Sequence, residues 1–144
     1  MESIGLLHQV RAVAAIAVLA LSLPGAFAGE LDTDPAVLAA RSWLSTVDAG
    51  QYAESWDDAA ETLHIVITRD AWESSLRSVR APKGAALERK VRRAVYQQSS
   101  YNDAGQFVQI EIETRFEKRP GSVETVTASR SRDGTWRVAG YTIR

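Results

Sequence analysis

Between residues 108 and 116, Val108, Ile110, Ile112, Thr114 and Phe116 alternate with Gln109, Glu111, Glu113 and Arg115. A period of two puts successive side chains on opposite faces of a strand, so this segment needs a core on one side and water on the other. Alternation sets in from Leu87 onward. Turn signals at Asn102, Asp103, Ala104 and Gly105, at Arg119, Pro120, Gly121 and Ser122, and at Asp133 and Gly134 cut the region into four strands of roughly eight to twelve residues. Tight turns join antiparallel neighbours, which predicts a four-stranded meander with one apolar face to cover. The strand acids, Glu111 and Glu113 among them, are expected on the watered face.

The cover comes from the preceding residues, where the period changes to three and four. Asp34 and Pro35 open a first helix: Asp accepts from the free amides of the first turn, and Pro needs no amide at the first helical position. Its apolar face is Val37, Ala40, Leu44 and Val47, and Gly50 ends it. A second helix follows with Tyr52, Trp56, Ala59 and Leu63 on one face. Ile65, Val66 and Ile67 read equally well as its tail or as a short extended segment. Thr68 caps a third helix with Trp72, Leu76 and Val79 inward, which Pro82 and Gly84 stop. The expected class is therefore α+β, with three N-terminal helices packed on one face of a four-stranded antiparallel sheet.

The first 28 residues stand apart. A short polar stretch with His8 and Arg11 precedes the apolar run 12–23, Pro24 and Gly25 break it, and Ala26, Phe27 and Ala28 follow. Small residues one and three positions before a cut are what signal peptidase requires, so cleavage after Ala28 is expected. Twelve residues, all but Ser22 apolar, span about 18 Å as a helix against roughly 30 Å of hydrocarbon, too little for a permanent anchor. The expectation is residues 1–28 as a cleaved signal peptide, residues 29–144 as one domain, and a periplasmic or secreted location.

Composition excludes several chemistries. With 45% hydrophobic and 24% charged residues the chain is that of an ordinary globular domain, and the net charge of -1 argues against a polyphosphate partner held by bulk charge. No Cys is present, which removes disulfides, thiolate metal sites and a cysteine nucleophile. No nucleophile elbow, Walker loop or dinucleotide fingerprint occurs. The basic run Arg89, Lys90, Arg92 and Arg93 lacks the interleaved aromatics of a nucleic-acid platform, so no nucleic acid is expected. His64 is the sole histidine beyond residue 28; with Asp57 and Glu61 it shares a helix face, but an acidic stripe in water is the plainer reading and no metal or cofactor is expected. Residues 29–61 hold eight acids and only Arg41, whereas 69–93 hold eight bases and three acids. An acidic helical layer facing a basic segment accounts for this; the sharper alternative is an anion patch on Arg77, Arg80, Lys83, Arg89, Lys90, Arg92 and Arg93.

Trp43 and Leu44, the run 48–52 from Asp48 to Tyr52, Ser55 and Trp56, Thr68 with Trp72, the run 79–84 with Arg80, Pro82 and Gly84, the segment 123–127, and the terminal run 133–141 with Gly134, Trp136, Gly140 and Tyr141 together resemble a family of short exported bacterial proteins called domain of unknown function 4019. The helix order also resembles nuclear transport factor 2-like domains, in which a cone of helices and a curved sheet enclose a pocket. The resemblance implies a cone-like single exported domain with no established activity.

Trp43, Trp56, Trp72 and Trp136 are usually core in so small a chain. The functional alternative is an apolar ligand pocket lined by Trp56, Trp72, Trp136 and Tyr141 with Arg80 at its rim, although Arg80 also suits an ion pair with an acid of the first or second helix. The expected function is a non-catalytic small-ligand-binding or accessory module whose partner is a small ligand or an envelope protein. Two alternatives stay open. One is a small-molecule isomerase or hydrolase using a second-helix carboxylate and a Tyr; the other is a protein-interaction domain, with a homodimer through the outer sheet face equally open.

Overall fold

The computed structural model describes residues 31–32, 34–98 and 105–144, and its helices precede a single sheet. The signal segment and most of the first predicted turn lie outside the described residues. Helix α1 spans Pro35–Asp48, α2 Tyr52–Asp57, α3 Glu61–Val66 and α4 Arg69–Arg80, followed by a 3-10 turn at Ala81–Lys83. Strands β1 (Ala86–Gln98), β2 (Gln106–Phe116), β3 (Arg119–Arg130) and β4 (Trp136–Ile143) pair antiparallel in sequence order. The class is α+β.

Local chemistry explains the helix ends. Asp34 Oδ1 accepts from the amides of Ala36 at 2.8 Å and Val37 at 3.3 Å, so the cap and Pro35 start α1 as the sequence requires. All four of its predicted apolar positions are buried, together with Ala36 and Trp43. Thr68 caps α4 through the Ala71 amide, and Trp72 and Leu76 are buried. Val79, however, is 40% exposed, and Arg80, one turn beyond Leu76, takes the inward position instead.

Among the described residues, the stretch 35–80 carries four helices where three are expected, because the second is divided. Ala60 adopts an extended conformation and donates its amide to Val138 O of β4 at 2.8 Å, a bond that ties the helical layer to the sheet and interrupts the helix. Ile65 and Val66 then finish α3, and Ile67 is extended. The second predicted hairpin turn is also displaced. It is Glu117 and Lys118 that turn, with Phe116 opposite Arg119, so Pro120 and Gly121 lie inside β3. Gly84, at φ +73°, makes room for that turn: a Cβ there would sit 2.7 Å from Glu117 Oε2, which accepts the Ala85 amide.

The core lies between α1 and the inner sheet face, where Val37, Ala40, Trp43 and Leu44 meet Val108, Ile110, Ile112, Val126, Ala128 and Val138. Ser55 on α2 is fully buried and fastens the helices to one another: its carbonyl accepts Trp43 Nε1–H at 2.8 Å and its hydroxyl accepts Trp72 Nε1–H at 3.0 Å. Buried indole N–H groups need such partners, and here one residue serves two helices.

Candidate functional site

Glu124 overturns the expectation that every strand acid lies in water. Its side chain is 0% exposed, because register pairs it with Ile112 on the inner face. Both oxygens are engaged. Oε2 accepts from Arg89 Nε at 2.6 Å and from Thr114 Oγ1 at 2.5 Å; Oε1 accepts from Tyr141 Oη at 2.6 Å and Arg89 Nη2 at 3.2 Å. Arg89 reaches on to Asp48 at the end of α1, and Arg80 of α4 donates through Nη2 to the same carboxylate. Two acids and two bases thus join α1, α4, β1 and β3 in a neutral cluster.

Arg80 is 4% exposed, and its Nε and Nη1 have no hydrogen-bond partner; Nη1 stands 3.9 Å from Glu124 Oε1. Its guanidinium lies 4.5 Å over the Phe116 ring, whose π face offers partial compensation. The ion pair with an acid of the first helix is therefore the role the structure gives Arg80.

Burial alone would raise the Glu124 pKa, but the hydrogen bond and charge of Arg89, with Thr114 and Tyr141, outweigh it and hold the carboxyl below its usual 4.5. Burial and the neighbouring Glu124 push the Tyr141 phenol upward, and Arg89 is likewise raised, its bonds to Asp48 and Glu124 outweighing burial. A carboxyl depressed on folding adds stability above its unfolded pKa and loses it as pH falls through the folded value. The thermal midpoint is accordingly expected to drop as pH falls below 4.5, and the part of that drop owed to Glu124 to vanish in Glu124→Gln, as melting curves across acid pH would show.

The pocket residues named from sequence do not converge on one opening. Trp72 and Tyr141 both pack on Trp43, with ring centroids 6.1 and 5.4 Å apart, and fill the interior. Trp56 donates to Ile67 O at 2.9 Å and lies 3.9 Å from the His64 ring, whose Nε2–H donates to Trp56 O at 2.6 Å. Asp57 is held by a two-pronged bond from Arg69. Among the described residues, no group of three or more His, Asp or Glu is placed to hold a metal ion. The arginines of the basic segment are likewise paired: beside Arg80 and Arg89 in the cluster, Arg77 pairs with Glu73, Arg92 with Glu113 and Arg93 with Glu111.

Trp136 is placed differently. Helix α1 runs as a ridge with a groove on each side. One, of about 300 Å³, lies against β1 and is lined by Arg41, Leu44, Ser45, Leu87, Glu88 and Arg89, among others. Its polar groups are all engaged, Arg41 with Asp32, Ser45 with Arg41 O, Glu88 with Arg115, and Arg89 in the cluster. The other, of about 260 Å³, lies between α1 and β4, with Trp43 and Val138 beneath and Ser42, Thr46, Asp58, Thr135, Trp136 and Arg137 around it. There Asp58 and Arg137 make no ion pair among the described residues, and Arg137 has only a 3.4 Å bond to Ser131 Oγ. Trp136 is the one tryptophan whose indole N–H makes no hydrogen bond among the described residues, in contrast to Trp43, Trp56 and Trp72. The sequence named Trp136 but could not distinguish it from the others, and Asp58 and Arg137 carried no signal of their own.

No curated protein matches the chain. The sequence profile of a protein family does match it, over residues 39–141, a span that takes in α1 from its second turn, the ion cluster and both grooves. The chain belongs to the family described as Protein of unknown function (DUF4019).

Proposed function

We propose that the protein is a non-catalytic binding or accessory module of the bacterial envelope, released from its signal segment after Ala28, with its ligand site in the cleft between α1 and β4. The observation that carries this reading is the concentration of recognition groups there that are unengaged or weakly engaged among the described residues: the Trp136 indole, Asp58 and the hydroxyls of Ser42, Thr46 and Thr135, with Arg137 held only by its long bond to Ser131. Apolar floor and convergent polar rim are the usual make-up of a small-molecule site. The nuclear transport factor 2-like architecture belongs to the same reading, supported by helices that precede a four-stranded antiparallel meander. In this chain the inner volume of such a cone is occupied by Trp43, Trp72, Tyr141 and the ion cluster, which favours a site outside α1.

A second reading, acid–base catalysis, has one observation in its favour, the buried pair of Glu124 and Tyr141. The pKa directions weigh against it, since a useful general base sits near the working pH whereas Glu124 is held low and Tyr141 high.

The test uses protein exported under its own N-terminal segment, labelled with ¹⁵N and mixed with the small-molecule fraction of an envelope extract. An intact mass beginning at Gly29 and amide shifts clustered at Ser42, Thr46 and Trp136 are expected. A mass retaining residues 1–28 would overturn the assigned location. Shifts centred on Glu124 and Tyr141, with turnover of an extract component, would overturn the non-catalytic assignment.

A further inference from the structure

Resting on the cleft as the ligand site, we infer that its ligand is a neutral saccharide, one or two pyranose rings of a longer chain. A pyranose has a face of C–H groups and a rim of hydroxyls that both donate and accept. The cleft offers the complement. Trp136 supplies a flat apolar ring, and it is held in orientation by Tyr96, which meets it edge-on at 6.1 Å and is itself anchored through its hydroxyl to Asp34. A platform fixed before binding saves the ligand the ordering cost.

The rim fits the same class. Asp58 accepts only, Arg137 donates only, and Ser42, Thr46 and Thr135 do both, so a hydroxyl-rich ligand finds both kinds of partner. Charge narrows the choice further. The cleft carries one acid and one base with no ion pair to either among the described residues, so an anion would face Asp58 and a cation would face Arg137. A wholly apolar ligand would strip water from these groups and return nothing. Size limits what is held: about 260 Å³ is less than the roughly 300–1,000 Å³ of sites for drug-sized molecules, so the cleft takes a ring or two and leaves the rest of the chain outside.

The experiment is an indole N–H titration by ¹H–¹⁵N correlation, with chitotriose, cellotriose and maltotriose as probes at millimolar concentration. Trp136→Phe assigns the relevant indole peak by its loss. With at least one probe that peak is expected to move, while the peaks of Trp56 and Trp72, bonded inside the protein and outside the cleft, hold their positions. Asp58→Asn, at an exposed site, is expected to weaken binding about tenfold with an unchanged melting temperature, the loss of one good polar contact. No movement with any of the three sugars, or movement of backbone peaks that survives in Trp136→Ala, overturns the inference. If the Trp136 peak answers to the envelope extract but to none of the sugars, the saccharide is wrong and the binding module stands; silence toward both removes both.

Discussion

Glu124→Gln is expected to destabilise the protein by about 3–5 kcal/mol, the usual cost of removing one partner from a buried ion pair. At roughly 3–5 °C per kcal/mol for a domain between the 100- and 150-residue cases, the melting temperature falls by roughly 10–20 °C, readable by circular dichroism. The cause is what remains behind. Arg89 keeps Asp48 but loses the acceptor of its Nε, Tyr141 and Thr114 lose a charged acceptor, and Arg80, already carrying two unbonded nitrogens, loses its second carboxylate neighbour. Arg80→Met supplies the contrast. Its side chain brings two unbonded nitrogens into the interior, and its removal leaves Asp48 still held by Arg89, so the expected loss is only about 1 kcal/mol. Equal losses in the two variants would mean that Glu124 is not the centre of the cluster.

Why the sequence hid Glu124 follows from register. A hairpin turning at Pro120 and Gly121 would bring residue 124 opposite residue 117, on the side of Glu111 and Glu113. The chain turns at Glu117 and Lys118 instead, and an irregularity between Thr114 and Phe116 adds one more step, so Glu124 comes to lie beside Ile112. A shift of an odd number of residues exchanges the faces of a strand, and β3 has too mixed a pattern, with Val123 and Val126 on opposite sides, to reveal it. By contrast, the cap at Asp34, the buried face of α1 and the alternation of β2 were legible because each depends on neighbours within a few residues. The break of the second helix was not, since it depends on a bond from Ala60 to a strand nearly eighty residues later. Arg80 lies between these cases: its pairing with a first-helix acid could be anticipated from charge, but its descent into the interior over Phe116 required the whole fold. The same limit applied to the tryptophans. Composition says that four large rings must mostly fill a core, but which ring keeps an unbonded N–H depends on the partners that folding brings, Ser55 for Trp43 and Trp72, and Ile67 for Trp56.

That division of labour yields the second large effect. Trp43→Ala is expected to cost about 3–5 kcal/mol, the range for emptying a large aromatic site in a core. Trp43 is 5% exposed and touches both Trp72 and Tyr141, so its loss opens a cavity where the helical layer meets the ion cluster. It also removes the N–H that binds Ser55 O, while Trp72 still draws on the Ser55 hydroxyl, so α1 is loosened from α2 and α4 at the residue that fastened all three. Trp43→Phe should recover part of the packing and none of the hydrogen bond, and fall between. Trp136→Ala, at a partly buried ring on the edge of the core without a bond to its N–H, is expected to cost about 1–2 kcal/mol, the ordinary range for a point substitution and well below that of Trp43→Ala. Urea unfolding of the three variants under identical conditions makes the comparison. A Trp136→Ala loss as large as that of Trp43→Ala would mean that Trp136 belongs to the core and is not free to serve a ligand, whereas a wide gap between them separates the ring that holds the fold from the ring that is left to recognise something else.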